Sequence, residues 1–225
     1  MKSYNNRNRL TGVITLMVLS GIFFSLQAQD PSLAQYLFPK FTSSKVLLKN
    51  GAGQTVMMNY NMVTERMVYE QDGKKFDLIN IGTVDTIYIQ NRKFIPEGKV
   101  FYEVILKGEP LSLFIQQQGS LMSPGTPAGY GGTSQVASTK QLSSIELAGG
   151  RYNLPLPAEY LVNVSPVFWI GNGNEKKSFL NEKQFLKILP EKEKELKAFI
   201  KENRVKVTNP DQLAKLVNYY NGLTD

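Results

Sequence analysis

The side chains able to do chemistry in this sequence are carboxylates, hydroxyls and amines, because the chain contains neither histidine nor cysteine. Those absences exclude a Ser-His or Cys-His nucleophile pair, an imidazole acid or base, and a Cys/His zinc site. Two carboxylates stand out, Asp85 and Glu103, because each lies in a β-like run among Val, Ile and Phe. A buried carboxylic acid retains its proton more readily, and two carboxyl groups about 5 to 9 Å apart can hydrolyse a glycoside. The opposing interpretation is that each is a solvated strand-face residue or pairs with a lysine or arginine such as Arg92 or Arg151.

A glycine-rich segment is the second candidate site. Residues 119–140 contain five glycines, two prolines and no acidic residue. Successive N–H groups can line an anion, and the candidate contact residues are Tyr130, Gly131, Gly132, Thr133 and Ser134. The segment has neither the P-loop nor the dinucleotide-binding glycine pattern. We therefore interpret it as a covering loop or a contact loop for a partner, and we predict no catalytic residue, no cofactor and no metal ligand.

Aromatic residues in the β-like runs allow a glycan-stacking surface or, alternatively, ordinary cross-strand packing. The residues concerned are Tyr60, Tyr69, Tyr88, Tyr102, Tyr130, Tyr152, Tyr160 and Trp169.

The N-terminus has the three parts of a secretory signal. Lys2, Arg7 and Arg9 are followed by an uncharged apolar run from Leu10 to Phe24, and cleavage is expected after Ala28. The apolar run is shorter than the roughly 20 residues of a membrane-spanning helix. We predict export to the periplasm or outer-membrane vicinity, with residues 1–28 removed and no transmembrane span left.

Removing the leader changes the charge of the chain. The whole sequence has 26 basic and 19 acidic residues, a net charge of +7, and three of the basic residues lie in the leader. The remaining net charge of +4 is ordinary for a soluble domain, and no basic run with interleaved aromatics is present. We therefore predict no nucleic acid partner.

The mature chain is expected to be α+β and mainly β. Short β-like runs recur about every ten residues from Lys45 to Phe179, with hairpin signals at Asp72-Gly73 and around Gly171-Asn172-Gly173-Asn174. This spacing predicts an antiparallel meander that forms a curved sheet, a half-barrel or a barrel. The predicted organisation is an extension over 29–44, a β domain over 45–180 that includes the 119–140 loop, and helices over 181–225.

Three short amphipathic helices are predicted at the C-terminus. Asn181 is suited to cap the first, Pro190 to end it, and Asn209-Pro210 to begin the third. Because helices of this length are marginal alone in water, we expect them to pack on the β domain.

A resemblance accompanies these patterns. The residues NYNMVTERMVYEQDGKKFDLINIGTVDTIYIQNRKF, followed by FYEVILKG and PAGYGGTSQ, resemble uncharacterised exported proteins of Bacteroidota. The resemblance implies an exported, mostly β protein and carries no assigned activity. The leading hypothesis is a non-enzymatic binding or assembly protein whose partner is an envelope protein, a glycan or a lipid. The alternatives are a lipid or lipoprotein carrier with a half-barrel, and a carboxylate-dependent glycan hydrolase.

Overall fold

The computed structural model describes residues 33–122, 126–128, 132–134, 144–147, 150–153, 160–173 and 175–224, with the backbone alone described between 126 and 153. The predicted signal peptide, residues 1–28, lies outside these residues. None of the helices in the described ranges is long and apolar enough to span a membrane.

The described chain is mainly β, as the sequence predicts, with helices at its C-terminal end. The first eight strands are β1 (Thr42–Leu48), β2 (Gly53–Asn61), β3 (Arg66–Gln71), β4 (Lys74–Asp77), β5 (Val84–Ile89), β6 (Arg92–Glu97), β7 (Val100–Leu106) and β8 (Ser112–Gln116). The later strands are β9 (Gly119–Met122), β10 (Thr126–Ala128), β11 (Gly132–Ser134), β12 (Ser144–Leu147), β13 (Gly150–Asn153), β14 (Leu161–Val164), β15 (Val167–Asn172) and β16 (Glu175–Phe179). The helices are α1 (Glu182–Ile188), α2 (Glu193–Asn203) and α3 (Pro210–Asn221).

Ten strands form one antiparallel sheet in the order β4-β3-β2-β1-β5-β6-β7-β8-β15-β16. The hairpin β12–β13 extends it at β4, where Tyr152 pairs with Phe76. The order is two meanders that share β1, because the chain leaves β4 and returns to the far side of β1 as β5. Within the described strands, no pairing joins the two ends of this order, and a closed barrel is not found.

Both predicted hairpins are confirmed. Asp72 and Gly73 have φ values of 51° and 72° and join β3 to β4, as expected for a tight turn that matches strand twist. Asn172 and Gly173 lie at the turn that joins β15 to β16, and Gly173 has a φ of 51°.

Strand β6 is one of the elements that the sequence pattern does not reveal. Pro96 lies inside it, and proline cannot donate a hydrogen bond to a sheet. The ladder between β5 and β6 ends at Phe94, so Pro96 lies beyond the last β5 pair. The strand therefore tolerates a residue that usually argues against a central strand.

The sheet has two faces with different cover. On the inner face, Phe94 lies in a core with residues of β1, β2, β5 and β7, and further along the same face Ile115 and Phe168 lie in a second core with the three helices. The opposite face carries the alternate residues Lys93, Val104 and Phe114, and we call it the outer face. The helices thus pack on the sheet as expected.

Helix boundaries follow the predicted signals. The Asn181 side chain accepts a hydrogen bond from the Gln184 backbone N–H at 3.0 Å, and Asn209 does the same for Gln212 at 3.0 Å. These caps satisfy donors that the first turn of a helix leaves free. Pro190 begins a short 3₁₀ turn between α1 and α2.

Two asparagines attach peripheral segments to the sheet. Asn59 of β2 accepts a hydrogen bond from the Phe38 N–H and donates one to the Phe38 carbonyl, at 3.1 and 2.8 Å. Asn221, at the end of α3, makes the same two bonds to Leu111, at 3.1 and 2.9 Å. The segment before β1, within the predicted extension 29–44, and the last helix are both fixed by an amide that pairs with one residue's backbone.

Candidate functional site

The two carboxylates singled out by the sequence are not brought together. Glu103 is buried on the inner face, where it receives bidentate hydrogen bonds from Arg92 and a 2.8 Å bond from the Gln117 side chain. The arginine interpretation is therefore confirmed for Glu103. The pair lies between the two cores. The hydrogen bonds from Arg92 and Gln117 compensate the negative charge of Glu103, which would be costly to bury alone.

Asp85 is exposed and lies at a β-bulge. Leu47 of β1 pairs with Thr86 and Leu48 pairs with Val84, which leaves Asp85 as the extra residue. Bulges re-aim side chains, and Asp85 lines a depression on the outer face. Its carboxylate accepts a 2.9 Å hydrogen bond from the Thr86 hydroxyl. Asp85 and Glu103 therefore serve opposite faces of the sheet.

The glycine-rich segment contains strands at its start and centre. Gly119 to Met122 form β9, which pairs with β14, and this part of the predicted 119–140 loop is a strand. Gly132, Thr133 and Ser134 form β11, which pairs with β10. Tyr130 and Gly131 lie outside the described residues.

Aromatic side chains of the outer face are stacked on one another. The rings of Tyr102 and Trp169 lie 5.4 Å apart at an interplanar angle of 28°. The Trp169 indole donates a 3.1 Å hydrogen bond to the Gln116 side chain, whose amide in turn donates to Glu65. Burial, followed by the negative charges of Glu97 and Glu65, raises the pKa of the Tyr102 hydroxyl. This arrangement matches the packing interpretation of these two aromatics.

A cleft on the outer face gathers lysines from four parts of the chain. It has a volume of about 580 Å³, within the range typical of ligand pockets. Its cationic lining residues are Lys49, Lys93, Lys107 and Lys176, and Asp85 is the only carboxylate among its lining residues. We call this site the lysine cleft.

Three groups of strands build the cleft. One wall comes from the ends of β1, β5 and β6, including Lys49 and Lys93, and the floor comes from Val104 and Phe114 of β7 and β8. The opposite wall is the β15–β16 hairpin, which contributes Lys176. The hairpin reaches toward β6 over the outer face, since Lys176 of β16 contacts Glu97 of β6.

The hairpin wall depends on a glycine. Gly171 of β15 has a φ of 148°, and a Cβ atom there would lie 2.0 Å from the Glu175 carbonyl oxygen. No side chain can be accommodated at that distance, so the close approach of the two hairpin strands requires glycine.

An ion pair joins the two walls. The Lys176 ammonium lies 3.0 Å from a Glu97 carboxylate oxygen and 5.4 Å from the centre of the Phe114 ring. The Lys176 side chain is only 8% exposed, whereas that of Glu97 is 39% exposed. A nearly buried cation is thus held over an aromatic ring by a carboxylate that solvent reaches.

Neutral polar side chains of the cleft already bond within the protein. The Thr86 hydroxyl donates to Asp85, the Ser112 hydroxyl donates to the Gly108 carbonyl at 3.1 Å, and the Asn172 amide donates to the Pro110 carbonyl at 3.0 Å. The cleft therefore offers a ligand mainly ammonium groups and apolar surface.

Sequence reasoning missed these lysines because they are dispersed from position 49 to position 176 and follow no motif. Recognition of β6 as a strand would have indicated that Lys93 and Phe94 point to opposite faces. No short stretch of sequence indicates that the β15–β16 hairpin lies across the cleft from β6.

Acidic residues do not gather elsewhere into a metal site in the described ranges: no group of three or more Asp or Glu side chains there is placed to hold an ion.

Comparison with family models, with curated proteins and with solved structures finds no match to this chain.

Proposed function

We propose that this protein is an exported, non-catalytic binding protein of the periplasm or outer-membrane vicinity, and that it takes an anionic ligand in the lysine cleft. Export is supported by the sequence of residues 1–28 alone, and the resemblance to exported proteins of Bacteroidota agrees with it.

The observation that carries the binding proposal is the convergence of four lysines on one concave site. Lys49, Lys93, Lys107 and Lys176 come from separate strands or strand ends, and Asp85 is the single carboxylate in the lining. Like charges repel, and Asp85 together with Glu97, the partner of Lys176, offsets only two of the four positive charges. A cleft lined by one sign of charge concentrates the field and attracts ligands of the opposite sign.

Glycan hydrolysis fits the geometry less well. Glu103 is committed to Arg92 and Gln117 on the inner face, and Asp85 accepts from Thr86 on the outer face. A pair of carboxylates flanking one bond is required for that chemistry, and these two do not flank a common space.

The bending of the sheet favours a half-barrel as its shape. Tyr60 of β2 and Phe94 of β6 are three strand positions apart, about 14 Å in a flat sheet. Their rings stack at 6.0 Å, and β3 approaches β7. The concave inner face is filled by side chains of the first core, including Met58 and Phe101. A carrier role would therefore use the lysine cleft on the outer face in place of the concave face.

Titration with small anions tests the proposal. Inorganic phosphate and citrate are added to isotopically labelled protein, and the amide resonances of β6, β7 and the β15–β16 hairpin are followed by NMR. We expect saturable shifts at these strands that weaken as sodium chloride is added, because salt screens exposed charges.

A matched pair of variants locates the binding. The double variant Lys93→Gln/Lys107→Gln should lower the phosphate affinity several-fold, because it removes two of the four converging positive charges. The control Lys183→Gln/Lys201→Gln removes the same charge from exposed positions of α1 and α2 and should bind like the wild type. Absence of any anion binding, or equal binding by both double variants, would contradict the proposed function.

A further inference from the structure

We infer that the ligand of the lysine cleft is an anionic amphiphile, an apolar chain that carries one carboxylate or phosphate group. This inference rests on the proposed function, because it specifies the ligand of the same cleft. Three features of the cleft support this ligand class: the apolar floor, the neutral polar groups that are already bonded, and the position of Lys176.

The floor of the cleft is apolar, and apart from the buried Phe114 it is partly open to solvent. Val104 of β7 pairs with Phe114 of β8, and Ile95 of β6 lines the same space. Ile95 and Val104 are only half-buried, although they lie at the centre of a broad sheet. Apolar surface of this kind gains free energy when hydrocarbon replaces water. A small inorganic anion would leave it wet, whereas an attached chain covers it.

A neutral polar ligand would find few partners in the cleft. Thr86, Ser112 and Asn172 each donate their hydrogen to an acceptor inside the protein. Discrimination for a hydroxyl-rich ligand requires side chains placed to hydrogen-bond it. The polar groups that remain are the ammonium groups of the lysines, which select an acidic group. Of these, Lys176 already donates to Glu97 and to the Gly173 carbonyl, so an acidic ligand competes with Glu97 for it.

Lys176 defines where the acidic group meets the chain. Its ammonium, which also donates to Glu97 and to the Gly173 carbonyl, lies 5.4 Å from the centre of the buried Phe114 ring, so an anion that displaces Glu97 there starts beside the apolar floor. Lys49 and Lys107 are exposed at the edge of the cleft and add attraction at longer range. A head group at Lys176 with its chain along Ile95 and Val104 uses both kinds of surface in one ligand.

Calorimetric titration of protein purified from cells that express the full chain tests the inference. The probes are monomeric laurate and dodecyl phosphate, with acetate and inorganic phosphate as anions lacking the chain and monolauroyl glycerol as a chain lacking the charge. We expect both anionic amphiphiles to bind at least about tenfold more tightly than the other three, because chain and charge contribute together.

Variants separate the two contributions. Val104→Thr nearly preserves the shape of the side chain and adds a hydroxyl to the floor. It should weaken laurate binding several-fold and leave phosphate binding unchanged. Lys176→Met should weaken laurate and dodecyl phosphate binding alike. The control double variant in α1 and α2 should change neither.

The outcomes separate this inference from the proposed function. If phosphate binds the cleft and laurate binds no better than acetate, the amphiphile inference is wrong and the proposed function stands. If no anion binds, both fail. If the protein sediments with phosphatidylcholine–phosphatidylglycerol vesicles but binds no monomeric laurate, the cleft recognises a membrane surface and the inference of a single bound amphiphile is overturned.

Discussion

Lys176 and Glu97 form a 3.0 Å ion pair although their strands are four positions apart in the sheet. Neighbouring strands are spaced by about 4.8 Å, so a flat sheet would separate these two strands by about 19 Å. Between β6 and β16 the sheet must therefore bend toward its outer face, opposite in sense to the bend toward the inner face that brings β2 near β6. The same bend forms the lysine cleft, and the ion pair connects the two walls of the cleft.

Removal of the Glu97 charge should strengthen anion binding. Glu97 competes with an incoming anion for Lys176, so Glu97→Gln should increase the affinity for phosphate and for laurate several-fold. The stability cost should lie between the less than about 1 kcal/mol of an exposed pair and the roughly 3 kcal/mol of a buried one, because Glu97 is 39% exposed but Lys176 only 8%. Calorimetry and urea denaturation measure the two effects.

The control for this prediction is Glu175→Gln, which removes an exposed charge from the same hairpin. If both variants gain affinity equally, the effect is one of net charge and the competition at Lys176 is refuted.

The buried ion pair of the inner face should be costly to break from one side. Arg92→Met leaves the Glu103 carboxylate, with a side chain only 6% exposed, without its arginine, and we expect a loss of about 3 kcal/mol in the free energy of unfolding. The double variant Arg92→Met/Glu103→Leu should recover much of that loss, because no buried charge is left unpaired. Urea denaturation of both variants checks this, and a double variant less stable than Arg92→Met would contradict it.

The backbone-pairing asparagines should matter more than an exposed one. Asn59→Ala leaves both backbone groups of Phe38 without their side-chain partner in a buried site, and about 1 to 3 kcal/mol should be lost. Asn221→Ala should act similarly through Leu111. The control is Asn50→Ala, which removes an exposed bond to the Ala52 N–H and should cost less than about 0.5 kcal/mol. Equal losses in urea denaturation would show that the backbone pairing is not what stabilises these segments.

Stability should fall in alkali between pH 10 and pH 12. Burial, together with the hydrogen bond to Glu191 and its charge, raises the pKa of Tyr220 from 10.0 to about 12. In that interval the unfolded chain loses the tyrosine proton while the folded protein retains it, so the unfolded state binds fewer protons and the free energy of unfolding decreases with pH. Burial also raises the pKa values of Tyr36 and Tyr60, which adds to the effect.

The variant Tyr220→Phe tests this assignment. It removes one titrating group, so its stability should decline less steeply over the same interval than that of the wild type. An identical slope in urea denaturation measured across the interval would show that Tyr220 does not contribute.

What the sequence determines by itself are the local features of the fold. The Asp72-Gly73 turn, the Asn181 and Asn209 caps and the alternating strands are each specified by residues within a few positions of one another. Local conformational preferences of this kind act before any tertiary contact forms, and they suffice to predict an antiparallel, mainly β fold with C-terminal helices.

The site was decided by tertiary structure. Asp85 and Glu103 looked alike in sequence, yet Asp85 is exposed at a bulge, whereas Glu103 is buried on the inner face and pairs with Arg92. Lys93 and Lys176 meet at one cleft because the sheet bends, and bending depends on how all the strands pack against two cores and not on any short segment. Charges that are distant in sequence become a site only when packing energy, summed over the whole sheet, fixes its curvature.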